Sequence, residues 1–117
     1  AITCANFYRL DNLVAIVDNN QLMASGPLKE RYHIGNIRAK FEVYGWQTWE
    51  IDGHNMAEIV QALDETDQVK GSPGAIIAHT VKGKGVAFAE NNYSFHNNSL
   101  TEEQYEQARQ DIASIMV

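Results

Sequence analysis

The chain predicts an α/β fold: an open, mostly parallel sheet with helices on both faces. An uninterrupted apolar run, Leu13 to Val17, is rich in β-branched residues and ends in Asp18-Asn19-Asn20, as expected of a strand buried on both faces. Met56, Ile59, Val60 and Leu63 fall on one face of a helix. Along the rest of the chain the hydrophobic period switches repeatedly between these two patterns, the signature of alternating strands and helices.

The first residues read as a helix leading into strand Leu13–Asp18. Ile34, Ile37, Phe41 and Tyr44 then recur at three- and four-residue steps and Gly45 supplies a stop, which gives the first crossover helix. The second strand is Trp46–Ile51. Asp52-Gly53 makes a turn after it, and Asn55 with Glu58 forms a capping-box-like start to the second crossover helix. Gly71-Ser72-Pro73 closes that unit before strand Ala75–Thr80. Thr101 caps a final polar helix from Glu102 to about Ile115, with Tyr105, Ala108, Ile112 and Ile115 as its narrow apolar stripe. Right-handed crossovers would place the three strand C-termini on one edge, so that loops 18–26, 52–55 and 80–96 face a common cleft. Ligands of open α/β sheets sit beyond that edge.

The 117 residues, 44% apolar and 21% charged, suit one soluble globular domain. No apolar run approaches the ~20 residues of a membrane span, and the N-terminal residues carry no secretion signal, so a cytoplasmic location is expected. A net charge of −6 argues against sequence-independent nucleic-acid binding, which needs a surplus of Lys and Arg. Cys4 is the single cysteine, which excludes a disulfide framework and a thiolate metal site.

Several segments, in order, give the chain a family likeness: Tyr8-Arg9-Leu10-Asp11-Asn12-Leu13, the strand with Asp18-Asn19-Asn20, Ser25-Gly26-Pro27, Phe41-Glu42-Val43-Tyr44-Gly45-Trp46, Ile51-Asp52-Gly53-His54-Asn55, Ala78-His79-Thr80-Val81-Lys82-Gly83-Lys84-Gly85, Glu90-Asn91-Asn92 and Phe95-His96. Together they resemble the thiamine-diphosphate-binding domain of transketolase, particularly the form in which that domain is a separate N-terminal subunit. The resemblance covers most of the chain. The family motif opens upstream with Gly-Asp-Gly, whose Asp is a metal ligand, and this sequence contains no Gly-Asp-Gly. Residues 1–117 are therefore expected to form the C-terminal half of the cofactor domain.

The resemblance implies thiamine diphosphate and Mg²⁺ as cofactors, the metal asking for near-octahedral oxygen ligation. It makes the Asn20 side chain and the Leu22 backbone carbonyl metal ligands. Read from the residues alone, Asn19 and Asn20 could equally form an Asx-type turn. Gln21 stands where the family commonly has Gly, a tolerable change provided its φ stays negative. His96 matches a histidine that contacts cofactor and substrate, and an imidazole there can donate a hydrogen bond and exchange a proton; it precedes Asn97 where the family has Gly. Val81 and Lys82 match the loop that walls the cofactor. Gly83 and Gly85 permit close backbone approach, although the P-loop spacing is absent. Lys82 and Lys84 could attract a phosphorylated sugar or simply be solvated. His54 receives no chemical role, His79 is expected in the core and His33 at the surface.

The implied activity is transfer of a two-carbon ketol unit between sugar phosphates, with a catalytic Glu supplied by a further domain or by a C-terminal partner subunit of the enzyme. This makes a homo- or hetero-oligomer the expectation, with no catalysis by the isolated 117 residues. Three readings compete: another thiamine-diphosphate enzyme such as a deoxyxylulose-phosphate synthase, a non-catalytic assembly module of the same fold, and a generic nucleotide binder, which the missing Gly-rich fingerprint disfavours.

Overall fold

Three parallel strands, β1 (Val14–Asn19), β4 (Gln47–Asp52) and β5 (Gly74–His79), form the main sheet in the order β1-β5-β4. A computed structural model describes residues 1–115, which divide into one unit of residues 1–19 and 34–80 and a second of residues 20–33 and 81–115. Each observed strand begins and ends one residue away from the sequence expectation.

In the first unit, the central strand β5 is buried from Gly74 to Ala78 because it is paired on both sides. The register aligns Val14, Gly74 and Gln47 at one end and Asn19, His79 and Asp52 at the other. The three carboxyl ends therefore lie level at one edge, as the sequence predicts.

Strand parity divides the side chains between two faces. On one face, Ala15 and Ala75 pack with Trp46, Phe41 from α2 (Ile37–Val43), and Ile2 and Ala5 from α1 (Ile2–Phe7). The Trp46 indole N–H donates to the Ile2 carbonyl at 3.0 Å, and the Phe41 and Trp46 rings meet edge to face. On the other face, Ile16, Ile76, Ala78 and Ile51 share with Ile59 and Leu63 of α3 (Met56–Gln68) the lining of an apolar cavity of about 240 Å³. Ile16 remains 64% exposed on β1, an edge strand among the described residues.

The helices start where capping predicts. Asn55 Oδ1 accepts from the N–H groups of Ala57 and Glu58 at the start of α3, while the Glu58 carboxylate reaches back to Asn55 Nδ2 at 2.8 Å. Asn36 caps α2, accepting from Ala39 N–H at 2.9 Å, so this helix begins later than the apolar pattern from Ile34 suggests.

In the second unit, Leu22–Met23 (β2) and Gly26–Pro27 (β3) pair as a short antiparallel hairpin, where the sequence suggests only a loop. A single 3₁₀ turn, Leu28–Glu30, follows it. The chain of residues 81–100 is irregular apart from a 3₁₀ turn at Tyr93–His96, and it precedes α4 (Glu102–Ile115). Thr101 Oγ1 accepts from Gln104 N–H and Gln104 Oε1 from Thr101 N–H, a reciprocal cap. Asp111 of α4 accepts from Ala87 N–H at 3.0 Å, tying the helix to the preceding loop. No described helix is long and apolar enough to cross a membrane.

Candidate functional site

The strand ends carry a dense set of polar groups because parallel pairing delivers residues 18–19, 50–53 and 79–80 from the same edge. Within the first unit, the Thr80 hydroxyl donates to Asp18. On the opposite face, His79 is not a core residue: its side chain is 51% exposed and hydrogen bonded to Glu50 at 2.7 Å through Nε2. The expectation fails because a strand pattern guarantees burial only where helices cover both faces, and His79 closes its strand. Its Nδ1 lies 3.3 Å from Asn19 Nδ2. Further back on this face Glu42 accepts from Arg38 Nε at 2.7 Å and from the Thr48 hydroxyl at 2.8 Å. Hydrogen bonding to Arg38 first, then to Thr48, holds the Glu42 carboxyl below its ordinary range.

The turn after β4 explains Asp52-Gly53-His54-Asn55 in structural terms. Asp52 Oδ1 accepts from His54 N–H, and Gly53 N–H donates to the His79 carbonyl at 2.8 Å. A Cβ on Gly53 would lie 2.5 Å from Thr80 Cγ2, 3.1 Å from Ala78 Cβ and 3.2 Å from the His79 carbonyl oxygen. Only glycine allows this approach. His33 is exposed, as expected, and so is His54.

Asn20 and Leu22, the two residues singled out as metal ligands, are brought together in the second unit. Asn20 Oδ1 accepts from Leu22 N–H at 2.9 Å, an Asx-type turn. Because Leu28 N–H donates to the Gln21 carbonyl at 2.9 Å, the Leu22–Pro27 pair flanked by that bond is of the non-hydrogen-bonded kind. Both backbone polar groups of Leu22 therefore point away from the ladder, its N–H to Asn20 Oδ1 and its carbonyl to the same side. Pro27, opposite, has no N–H to offer. The local geometry thus gathers an amide oxygen and a backbone carbonyl, two neutral hard donors of the class that suits Mg²⁺. An amide oxygen has two lone pairs, so the bond from Leu22 does not preclude ligation.

Gln21 departs from expectation. Its φ is +59°, in the left-handed region, not negative. The reversal between Asn20 and the hairpin imposes this conformation, which explains why glycine would suit the position better.

Val81 and Lys82 come after Thr80, one residue beyond the end of β5, and both are half-buried. Their carbonyls accept from Lys84 and Asn91 N–H respectively, which folds residues 81–91 into a tight loop. Gly83, at φ +74°, could not carry a Cβ without meeting the Ala89 carbonyl oxygen at 2.5 Å. Lys84 Nζ lies 3.6 Å from Glu90, which also accepts from Gly85 N–H. Lys82 lines a cavity of about 290 Å³ with Val86, Phe88, Phe95 and Leu100. His96 is exposed at the end of its 3₁₀ turn, which Asn92 caps by accepting from Ser94 N–H at 3.1 Å. Asn97, at φ −138° and ψ 17°, keeps a negative φ, so the turn does not impose on it the left-handed conformation that favours glycine. Among the described residues no group of three His, Cys, Asp or Glu is gathered for a metal.

Sequence reasoning missed the Thr80–Asp18 bond and the Asn19–His79–Glu50 chain. Aligning the strand ends by parity would have placed each set on one face.

Residues 1–114 match the family described as transketolase, thiamine diphosphate binding domain. One of the subunits of the apulose-4-phosphate transketolase of Phocaeicola vulgatus is 36% identical over 113 residues, covering 97% of this chain and 40% of that protein. Human transketolase is 38% identical over 114 residues, covering 97% of this chain and 18% of that protein. The crystal structure of transketolase from Campylobacter jejuni superposes with a TM-score of 0.88 at 28% identity, covering 96% of this chain and 17% of that one. The chain thus spans well under half the length of these relatives.

Proposed function

The chain belongs to the transketolase family, in its thiamine-diphosphate-binding domain, and from that premise we propose that it forms part of an enzyme transferring a two-carbon ketol unit between sugar phosphates with the help of Mg²⁺. The observation that carries this reading is the hairpin after β1, which turns the Asn20 amide oxygen and the Leu22 carbonyl to one side.

When bound, thiamine diphosphate supplies a nucleophilic ring carbon and an electron sink for the ketol fragment. This chain's residues serve that chemistry by binding and orienting. Asn20 and Leu22 would hold the metal through neutral oxygens, leaving the rest of an octahedral shell to the diphosphate and to a carboxylate from outside residues 1–117, and we assign these residues to the C-terminal half of the cofactor domain. Val81 and Lys82 would wall the cofactor, and the Lys82 charge would also attract a phosphorylated sugar. His96, exposed on its turn, donates a hydrogen bond and exchanges a proton with substrate. The catalytic Glu comes from another domain or from a partner chain, consistent with a relative that is itself only one component of a transketolase. An oligomeric, cytoplasmic enzyme follows from this reading, as does the inactivity of the isolated 117 residues.

Asn20→Ala in the complete enzyme tests it. Calorimetric affinity for Mg²⁺ and thiamine diphosphate should fall at least about ten-fold, the scale seen when a metal site's supporting groups are removed, while Asn20→Asp, which keeps an oxygen donor, binds. Unchanged binding by Asn20→Ala would overturn the assignment.

A further inference from the structure

We infer that Glu50, His79 and Asn19 form a positioning relay that fixes the exit of β1 for cofactor binding. The inference rests on the reading of Asn20 just proposed.

Asn19 and His79 are register partners, the last residues of adjacent strands, and Glu50 lies on the same face of β4. Asn19 Nδ2 lies 3.3 Å from His79 Nδ1, and with the amide in this orientation that nitrogen accepts and is the bare one. The ring proton is then on Nε2, where it donates to Glu50 Oε1 at 2.7 Å. Each member of the chain dictates the state of the next: the carboxylate selects the tautomer, and the tautomer selects the amide orientation, because a flipped amide would set two acceptors against each other. Arg38 carries its charge close by, held protonated chiefly by Glu42 and to a lesser degree by Glu50.

The consequence concerns the residues that come next. Asn19 is peptide-bonded to Asn20, and His79 to Thr80, which precedes Val81. On the other face the Thr80 hydroxyl is held by Asp18. The two strand ends are thus tied together on both faces at the point where the chain departs for the proposed ligand residues. The His79 and Glu50 side chains are 51% and 41% exposed. Hydrogen bonds so accessible to water add little to global stability, so their effect belongs to local geometry.

The test uses the complete holoenzyme with His79→Leu, His79→Gln, Asn19→Ala and the His79→Leu/Asn19→Ala pair. The readouts are the dissociation constant of thiamine diphosphate at saturating Mg²⁺, the melting temperature without cofactor, and the imidazole ¹⁵N spectrum of His79. Loss of one net hydrogen bond corresponds to about a five-fold weakening. His79→Leu should show that weakening with little change in melting temperature. His79→Gln, whose amide can donate to Glu50 and accept from Asn19, should restore affinity, and the double variant should bind no more weakly than His79→Leu alone. Wild-type affinity in His79→Leu, failure of His79→Gln to restore it, or additive losses in the pair would each overturn the relay. A wild-type enzyme that binds no thiamine diphosphate would overturn the functional reading and this role with it, and the nitrogen spectrum would tell the cases apart by showing whether the Nε2–H tautomer is present.

Discussion

Replacing Gly53 with alanine should disturb the strand-end cluster more than any neighbouring surface change. The new Cβ would lie 2.5 Å from Thr80 Cγ2, with Ala78 Cβ and the His79 carbonyl oxygen closing the other sides. Overpacking of this kind costs about 1–3 kcal/mol. If Thr80 rotates away, it also forfeits its hydrogen bond to Asp18, about 1.5 kcal/mol at the low end for a charged acceptor, since Asp18 is exposed. The sum, roughly 3 kcal/mol, is a large fraction of the about 5–15 kcal/mol that holds a domain folded. Trp46 and Trp49, the two tryptophans, both lie in the affected unit, so urea unfolding followed by their fluorescence reads the effect directly, with the midpoint falling by roughly 1–3 M. Identity of the clashing atom gives a sharper check. Thr80→Ser removes Cγ2 but keeps the hydroxyl: in the natural background it should cost about 0.8 kcal/mol for the lost methyl, whereas alongside Gly53→Ala it should recover about 1 kcal/mol. A double variant less stable than Gly53→Ala alone would refute the steric account.

Gln21→Gly should stabilise the protein by about 0.5–1 kcal/mol, because a left-handed residue loses its Cβ penalty by more than glycine's added unfolded-state freedom costs; an unchanged or lower midpoint would contradict this. Hydrogen bonds from Gln61 first and then Trp49 hold the Glu65 carboxyl below its ordinary range. A depressed folded-state value contributes stability that is present above the unfolded carboxylate pKa and is lost as pH falls through the folded value. Melting temperature measured down an acid series should therefore drop through that window, and Glu65→Gln should flatten that part of the profile.

Strand existence, order along the chain and boundaries to within one residue were legible because an apolar run between turn signals leaves few other solutions. Helix starts were legible at Asn55 and Thr101, where capping chemistry is local. The β2–β3 hairpin was not, since two-residue strands have no period to read. Nor was the conformation of Gln21: glutamine has no left-handed preference, and the turn imposes it from outside. His79 misled because alternation marks a strand but does not say where the covering helices end. Of the proposed site, the proximity of Asn20 and Leu22 could be foreseen from their spacing, whereas the direction of the Leu22 carbonyl depends on the pairing type and needs coordinates.

Proline at position 27 has a consequence for the hairpin's alternatives. A one-residue slip of this two-pair ladder would bring Pro27 to a site that demands an amide hydrogen, which its ring does not possess. The competing alignment is thereby handicapped by covalent structure, and the outward aim of the carbonyl across from it is written into the polypeptide itself.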